Sequence, residues 1–227
     1  MKLQTYLAEI GRFLKPHRTI PKTPWTATSR WSVNLKNLPI LFFGLAIFGI
    51  GDALLIQSTI GNSPWSVFAQ GLSLRTPLSV GEATAITSIA VLLLWIPLKE
   101  RPGFGTLANI ALIAVFIQVG VDHIPKIEMN ILLQILYVLI GIGLVGMGSA
   151  LYITCGLGPG PRDGAMTGLH YRTGVRVGRV RMAIEVTVLV IGFLMGGTVG
   201  LGTALFALLI GQSVAISLGI LARLTHK

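Results

Sequence analysis

The stretch from Gly49 to Trp65, GIGDALLIQSTIGNSPW, returns in altered form from Gly146 to Arg162 as GMGSALYITCGLGPGPR, with no gap and at an offset of 97 positions. Identities continue in the same register through Gly71/Gly168, Leu72/Leu169, Arg75/Arg172, Thr76/Thr173 and Gly81/Gly178, then Gly103/Gly200, Gly105/Gly202 and Thr106/Thr203. Register kept over that distance marks an internal duplication. Each copy runs from an apolar stretch into a Gly- and Pro-rich break, then into further apolar stretches. The repeating unit is therefore a long helix, a break and more helix.

Composition sets the solvent around this repeat. Apolar residues make up 52% of the 227 and charged residues 11%, with mean hydropathy +0.77, whereas about a quarter of a soluble domain is charged. Lys2, Arg12, Lys15, Arg18, Lys22, Arg30 and Lys36 all precede the first long apolar run. The net charge of +10 is thus a membrane-surface signal, because the basic residues flank hydrophobic stretches and do not form a basic nucleic-acid-binding domain. The single Cys155 excludes an internal disulfide framework and is expected to pack as a small apolar residue. No short apolar core follows Met1, so no cleavable signal is expected. In the extension, Tyr6, Leu7, Ile10, Phe13 and Leu14 recur at helical spacing, with Lys2, Arg12 and Lys15 for the polar side. A short interfacial helix fits this pattern, and so does a basic tail that only sets orientation.

About twenty mostly apolar residues in a helix cross a bilayer core. Six such runs lie near 38–57, 80–98, 104–123, 131–154, 181–199 and 202–222, with longer Gly- and Pro-rich connections over roughly 58–79 and 155–180. The basic loop residues Lys99, Arg101, Arg162, Arg172, Arg176, Arg179 and Arg181 fall on the same side as the basic amino terminus. Both termini are then cytoplasmic by the positive-inside rule, in a bacterial inner membrane. Three spans per copy is an odd number, so the copies face opposite sides of the membrane. The expected fold is an all-α membrane protein with six transmembrane helices as two inverted three-helix repeats, each with a broken or re-entrant element after its first helix. The layout is a basic cytoplasmic extension over 1–37, a first repeat over 38–125, a second over 131–222 and a cytoplasmic tail over 223–227.

The IGNSPW element at Ile60–Trp65, the GLSLRT from Gly71 and the GFGT from Gly103 resemble the YczE/YitT group of bacterial integral membrane proteins, over roughly 38–222. The resemblance implies a fold and a membrane address, with no defined activity. One departure from symmetry stands out: the position of Trp65 is Arg162 in the second copy.

The paired breaks, IGNSPW and LGPGPRDG at Leu157–Gly164, are polar segments whose backbone at membrane depth needs protein or a water-filled cavity around it. Pro64 and Pro161 suit the first turn of a following short helix. Either these helices re-enter the bilayer and aim their amino ends at a midplane site, or they are surface turns followed by interfacial helices; both readings stay open. The substrate-binding candidates are Asn62, Ser63, Trp65, Gly160, Arg162 and Asp163. Asp52, Glu185 and Arg181 are the ionisable candidates for coupling. Glu185 sits among Ala183, Ile184, Val186 and Val188, where a charge is costly unless paired or hydrated. Arg181, four residues earlier, shares its helical face and can neutralise it. Asp52 corresponds to Ser149, and a carboxylate present in one copy only argues against a purely architectural purpose.

Blander roles suit the other polar residues. Arg75 and Arg172 read as anchors or caps of the short helices, and Glu82 as an acidic residue favoured at a helix amino terminus. Asn109, Gln118, Gln134 and Gln212 serve interhelical hydrogen bonds or a solute path. Gly44, Gly49, Gly51, Gly141, Gly143, Gly146 and Gly148 permit close helix packing. His17, His123, His170 and His226 are scattered, no acidic or Cys cluster has ligand spacing, and no phosphate-cradling loop occurs. An enzyme, a bound metal and a cofactor are therefore not expected. The favoured function is a small-solute permease with its site between the halves. The alternatives are a non-transporting accessory or regulatory protein, or a lipid-handling protein using Arg176, Arg179 and Arg181. The partners expected are the lipid bilayer and a small anionic or zwitterionic solute, with a homo-oligomer allowed and nucleic acid excluded.

Overall fold

The computed structural model describes Pro16 and residues 19–225, and among these every regular element is a helix. In chain order they are α1 (Asn37–Gln57), α2 (Pro64–Arg75), α3 (Val80–Leu93), α4 (Trp95–Leu98), α5 (Phe104–His123), α6 (Ile131–Thr154), α7 (Pro161–Thr173), α8 (Val177–Leu194) and α9 (Leu201–Thr225). The interfacial helix considered around Tyr6 to Leu14 lies outside the described residues.

Local chemistry explains the boundaries. Ser63 caps α2 ahead of Pro64, and Ser79 and Glu82 form a reciprocal capping box on α3, which gives Glu82 its architectural role. Pro97 has no N–H for the Leu93 carbonyl, so the run 80–98 breaks into α3 and α4. Lys99 at φ 58 then ends α4. Among the described residues five helices are long and apolar enough to cross a membrane: α1, α3 continued by α4, α5, α6 and α9. The sixth expected run, 181–199, is displaced toward the amino end as α8, because Gly196 at φ 104 and the Gly197 N–H bonded to Gly192 O at 2.8 Å turn the chain. With Arg179, Arg181 and Glu185 inside it, α8 falls short of the others in apolar character.

Helix α1 is the central element, packed along α6 on one side and α5 on another, while α9 lies against α6 and α2 against α8. Glycines set the α1–α6 distance: a Cβ at Gly148 would stand 2.5 Å from the Gly44 carbonyl oxygen, and one at Gly51 2.8 Å from that of Gly141. Gly143 departs from this pattern, since it faces outward with nothing within 4 Å.

Contacts recur at the offset seen in the sequence. Gly202 N donates to Ile60 O and Gly105 N to Leu157 O, each at 2.8 Å. Gly61 abuts Gly200 and Thr203, while Gly158 abuts Gly103 and Thr106. Helices start in step as well, α2 with α7 at 64 and 161, α3 with α8 at 80 and 177, and α5 with α9 at 104 and 201.

The segment before α1 is not a separate tail where it is described. Trp25 Nε1 donates to Thr154 Oγ1 at 3.1 Å, Ala27 N to Cys155 O at 2.8 Å, and Phe104 N to Arg30 O at 3.0 Å. The carbonyls at the end of α6 have no partner in their own helix, and this segment supplies one. Ile127 N does the same for Gln57 O at the end of α1, at 3.0 Å.

Candidate functional site

Both breaks begin against protein: Gly61 to Trp65 and Gly160 to Pro161 are buried. Asn62 and Ser63 are buried; Asn62 Nδ2 donates to Gln70 Oε1 at 2.8 Å, and the same oxygen accepts Thr198 N at 2.7 Å. The second break is held by Trp95 Nε1 donating to Pro161 O at 2.9 Å and by Thr106 Oγ1 donating to Pro159 O at 2.8 Å. These bonds satisfy backbone groups that water cannot reach and fix where α2 and α7 begin.

The first turns of α2 and α7 face each other across a cavity of about 180 Å³. Its walls pair residues at the repeat offset: Phe48 with Val145, Asp52 with Ser149, Ser63 with Gly160, Ser88 with Glu185, and Ile113 with Ile210. Trp65 and Arg162, another such pair, touch directly, with the guanidinium carbon 4.8 Å from the indole centroid. The odd substitution noted in the sequence thus becomes a cation–π contact in the cavity wall.

Asp52 is the most unusual group. It is 1% exposed, and neither carboxylate oxygen is in direct hydrogen-bond geometry with a group among the described residues. Arg162 lies within electrostatic reach of it, and the hydroxyls of Ser66 and Ser63 are near enough to act on it as weak donors. Arg162 makes no hydrogen bond or ion pair among the described residues, and its field reaches Asp52, Asp163, Tyr152 and Glu185. Asp163 does not pair with its neighbour Arg162; it accepts a hydrogen bond from Tyr152 Oη at 2.7 Å. Glu185 has the partner its spacing suggests, Arg181 Nε at 2.8 Å. The cavity wall therefore carries three carboxylates against two guanidinium groups, and among the described residues only Arg181 and Glu185 form a direct ion pair, which leaves Asp52, Asp163 and Arg162 without one.

The structure brings Asp52, Ser63, Trp65, Gly160, Arg162, Asp163, Arg181 and Glu185 to this one cavity. Asn62 lies apart, spent on the Gln70 link. Tyr152, Ser88 and Phe48 also line the cavity and have no motif to announce them. Tyr152 stands where the first copy has Leu55, and that exchange of an apolar residue for a hydroxyl was its one sequence signal. Of the other in-span polar residues, Asn109 reaches the cavity, while Gln118 and Gln134 are spent on hydrogen bonds to Gly81 N and Asp122, and to Thr59 and Ile127 O. Arg75 Nε caps the end of α8 by donating to Met195 O at 3.1 Å.

A family model described as a family of unknown function, DUF6198, matches residues 35–218. An uncharacterized protein of Haemophilus influenzae is 46% identical over 212 residues, covering 93% of this chain and 97% of that protein. The uncharacterized membrane protein YczE of Bacillus subtilis is 35% identical over 191 residues, covering 83% and 85%. The uncharacterized protein YyaS of the same organism is 28% identical over 188 residues, covering 79% and 91%. No solved structure matches. This kinship and five apolar helices of spanning length make the chain a multi-pass membrane protein.

Proposed function

The chain belongs to DUF6198, a YczE-like membrane family of unknown function, and we propose that it is a small-solute permease whose ligand sits in the cavity between α2 and α7. In this reading α8 is a sixth span, and the two halves are inverted repeats related by an axis running between Trp65 and Arg162. Reciprocal contacts are what such an axis requires: Ile60 meets Gly202 as Leu157 meets Gly105. Both termini face the cytoplasm of a bacterial inner membrane, by the loop charges.

The observation that carries the proposal is Asp52, buried, without a direct ionic partner among the described residues and in a cavity wall that also holds Arg162, which makes no ion pair there either. An ionisable group is not left so at membrane depth without a use. With all five wall groups ionised the charge is negative by one, which favours a zwitterion, or a cation or proton at Asp52, over a plain anion. Arg162 then takes the ligand's oxyanion, and Asp52 takes its ammonium or exchanges a proton with it. Rocking one half against the other moves the site between the two faces of the membrane.

Purified protein in proteoliposomes with a trapped pH-sensitive dye tests this, with glycerophosphoethanolamine and neutral amino acids as zwitterionic probes. The expected result is a probe-stimulated proton flux that Asp52→Asn abolishes and Arg162→Gln weakens. Full flux in both variants overturns the assignment of the site.

A further inference from the structure

Corresponding seams in the two halves are not packed alike. α3 lies along α5, and Gly81 N donates to Gln118 Oε1 at 3.0 Å. α8 and α9, at the matching seam, scarcely touch, and a Cβ at Gly178 would meet no neighbouring element within 4 Å. A cleft of about 330 Å³ opens there, lined by Met182, Val186, Leu189 and Ala207. Its inner end shares Pro64, Arg181 and Glu185 with the main cavity. Met182 is 68% and Val186 52% exposed, so the mouth opens on an exposed apolar flank, which is the lipid side with α8 read as the sixth span.

The path therefore changes character along its length. The mouth is apolar, the Arg181–Glu185 ion pair stands at the junction, and the unpaired Arg162 and Asp52 lie beyond it. A water-borne solute gains nothing from an apolar entrance in the side of the protein. An amphiphile uses both ends, because its chain stays in hydrocarbon while its headgroup meets fixed charges. The cavity of about 180 Å³ has room for a headgroup, and the separate cleft of about 330 Å³ is narrow enough between α8 and α9 to take one acyl chain beside it and not two.

We propose that the ligand is a single-chain zwitterionic amphiphile that enters from the bilayer between α8 and α9, setting its oxyanion on Arg162 and its ammonium toward Asp52 while its chain lies in the cleft. The proposal rests on the reading of the cavity as the ligand site and adds the ligand's class and its route. The Arg181–Glu185 pair marks the threshold: both side chains keep exposed surface, 50% and 29%, and offer a passing headgroup a charge of either sign.

The test compares lysophosphatidylethanolamine with glycerophosphoethanolamine, the same headgroup without its chain, each added to the full-length protein in maltoside micelles. Retention is read by native mass spectrometry. Ala207→Trp fills the cleft, and Val186→Phe narrows it from the α8 side should the tryptophan variant fold poorly. Lysolipid should be retained at least about tenfold better than the bare headgroup, as burial of a few methylenes allows. Closing the cleft should remove that advantage and leave headgroup binding unchanged, while Arg162→Gln should weaken both. Equal retention of the two probes, or lysolipid retention indifferent to the cleft variants, overturns lateral entry and leaves a solute permease standing. Retention of neither probe overturns the amphiphile. Indifference of both probes to Arg162→Gln overturns the cavity assignment itself.

Discussion

The α3–α5 and α8–α9 seams are built from corresponding positions, yet one is closed and the other open. On the closed side Thr84 and Ser88 are small and buried, and Gln118 reaches across to Gly81 N. Their counterparts are Arg181, Glu185 and Ala215. Two long charged side chains replace two short hydroxyls, and an alanine stands where the tether should be. The duplication supplies the frame, and these three exchanges decide which seam seals. Such a sequence difference between the seams biases the protein toward the state with the α8–α9 seam open.

The comparison breaks most sharply at the paired glycines Gly81 and Gly178. A Cβ at Gly81 would stand 2.6 Å from the Ala114 carbonyl oxygen, so Gly81→Leu should cost about 2–3 kcal/mol by overpacking. Gly178→Leu, in open space, should stay within about 0.5 kcal/mol. Thermal unfolding in detergent measures both, and equal losses would mean that the two seams are packed alike. Next in size is Trp65→Leu, which removes the platform under Arg162 and should cost about 1–2 kcal/mol by the same measurement. Gln118→Ala should cost about 1 kcal/mol for its hydrogen bond and raise thiol labelling of a Ser88→Cys probe, since the closed seam loosens toward the geometry of the open one. Smallest is Glu185→Gln, with the pair hydrated from the cavity: a hydrated pair one helical turn apart contributes about 0.3–0.5 kcal/mol. A stability loss several times larger would show that the pair props the open seam apart.

Much of the frame was legible because it is written in local chemistry. Pro64 and Pro161 start the short helices, Gly and Pro punctuate the breaks, and five of the six apolar runs become helices of spanning length. α8 resisted because its end is set by the turn at Gly196 and Gly197 instead of by hydropathy. The Arg181–Glu185 pair was legible too, since spacing within one helix is enough to predict it. Asn62 was not, because its burial against Gln70 depends on where the turn before α9 falls. Tyr152 reaches Asp163 across two different elements, and no spacing rule covers such a contact. Gly143 shows the limit of the small-residue pattern, since a glycine marks close approach only on the side of the helix that meets a neighbour.

By itself the sequence determined a membrane protein made of two related halves, with breaks and helix starts at an offset of 97 positions. It also marked Trp65 and Arg162 as the place where the halves differ. That these two residues meet, that Asp52 has no direct ionic partner among the described residues beside them, and that one seam stands open all come from the packing of the helices. Periodicity and composition act along the chain and specify elements. Which corresponding positions end face to face depends on how closely helices approach across the interface, and that distance is set by the packing of both halves together.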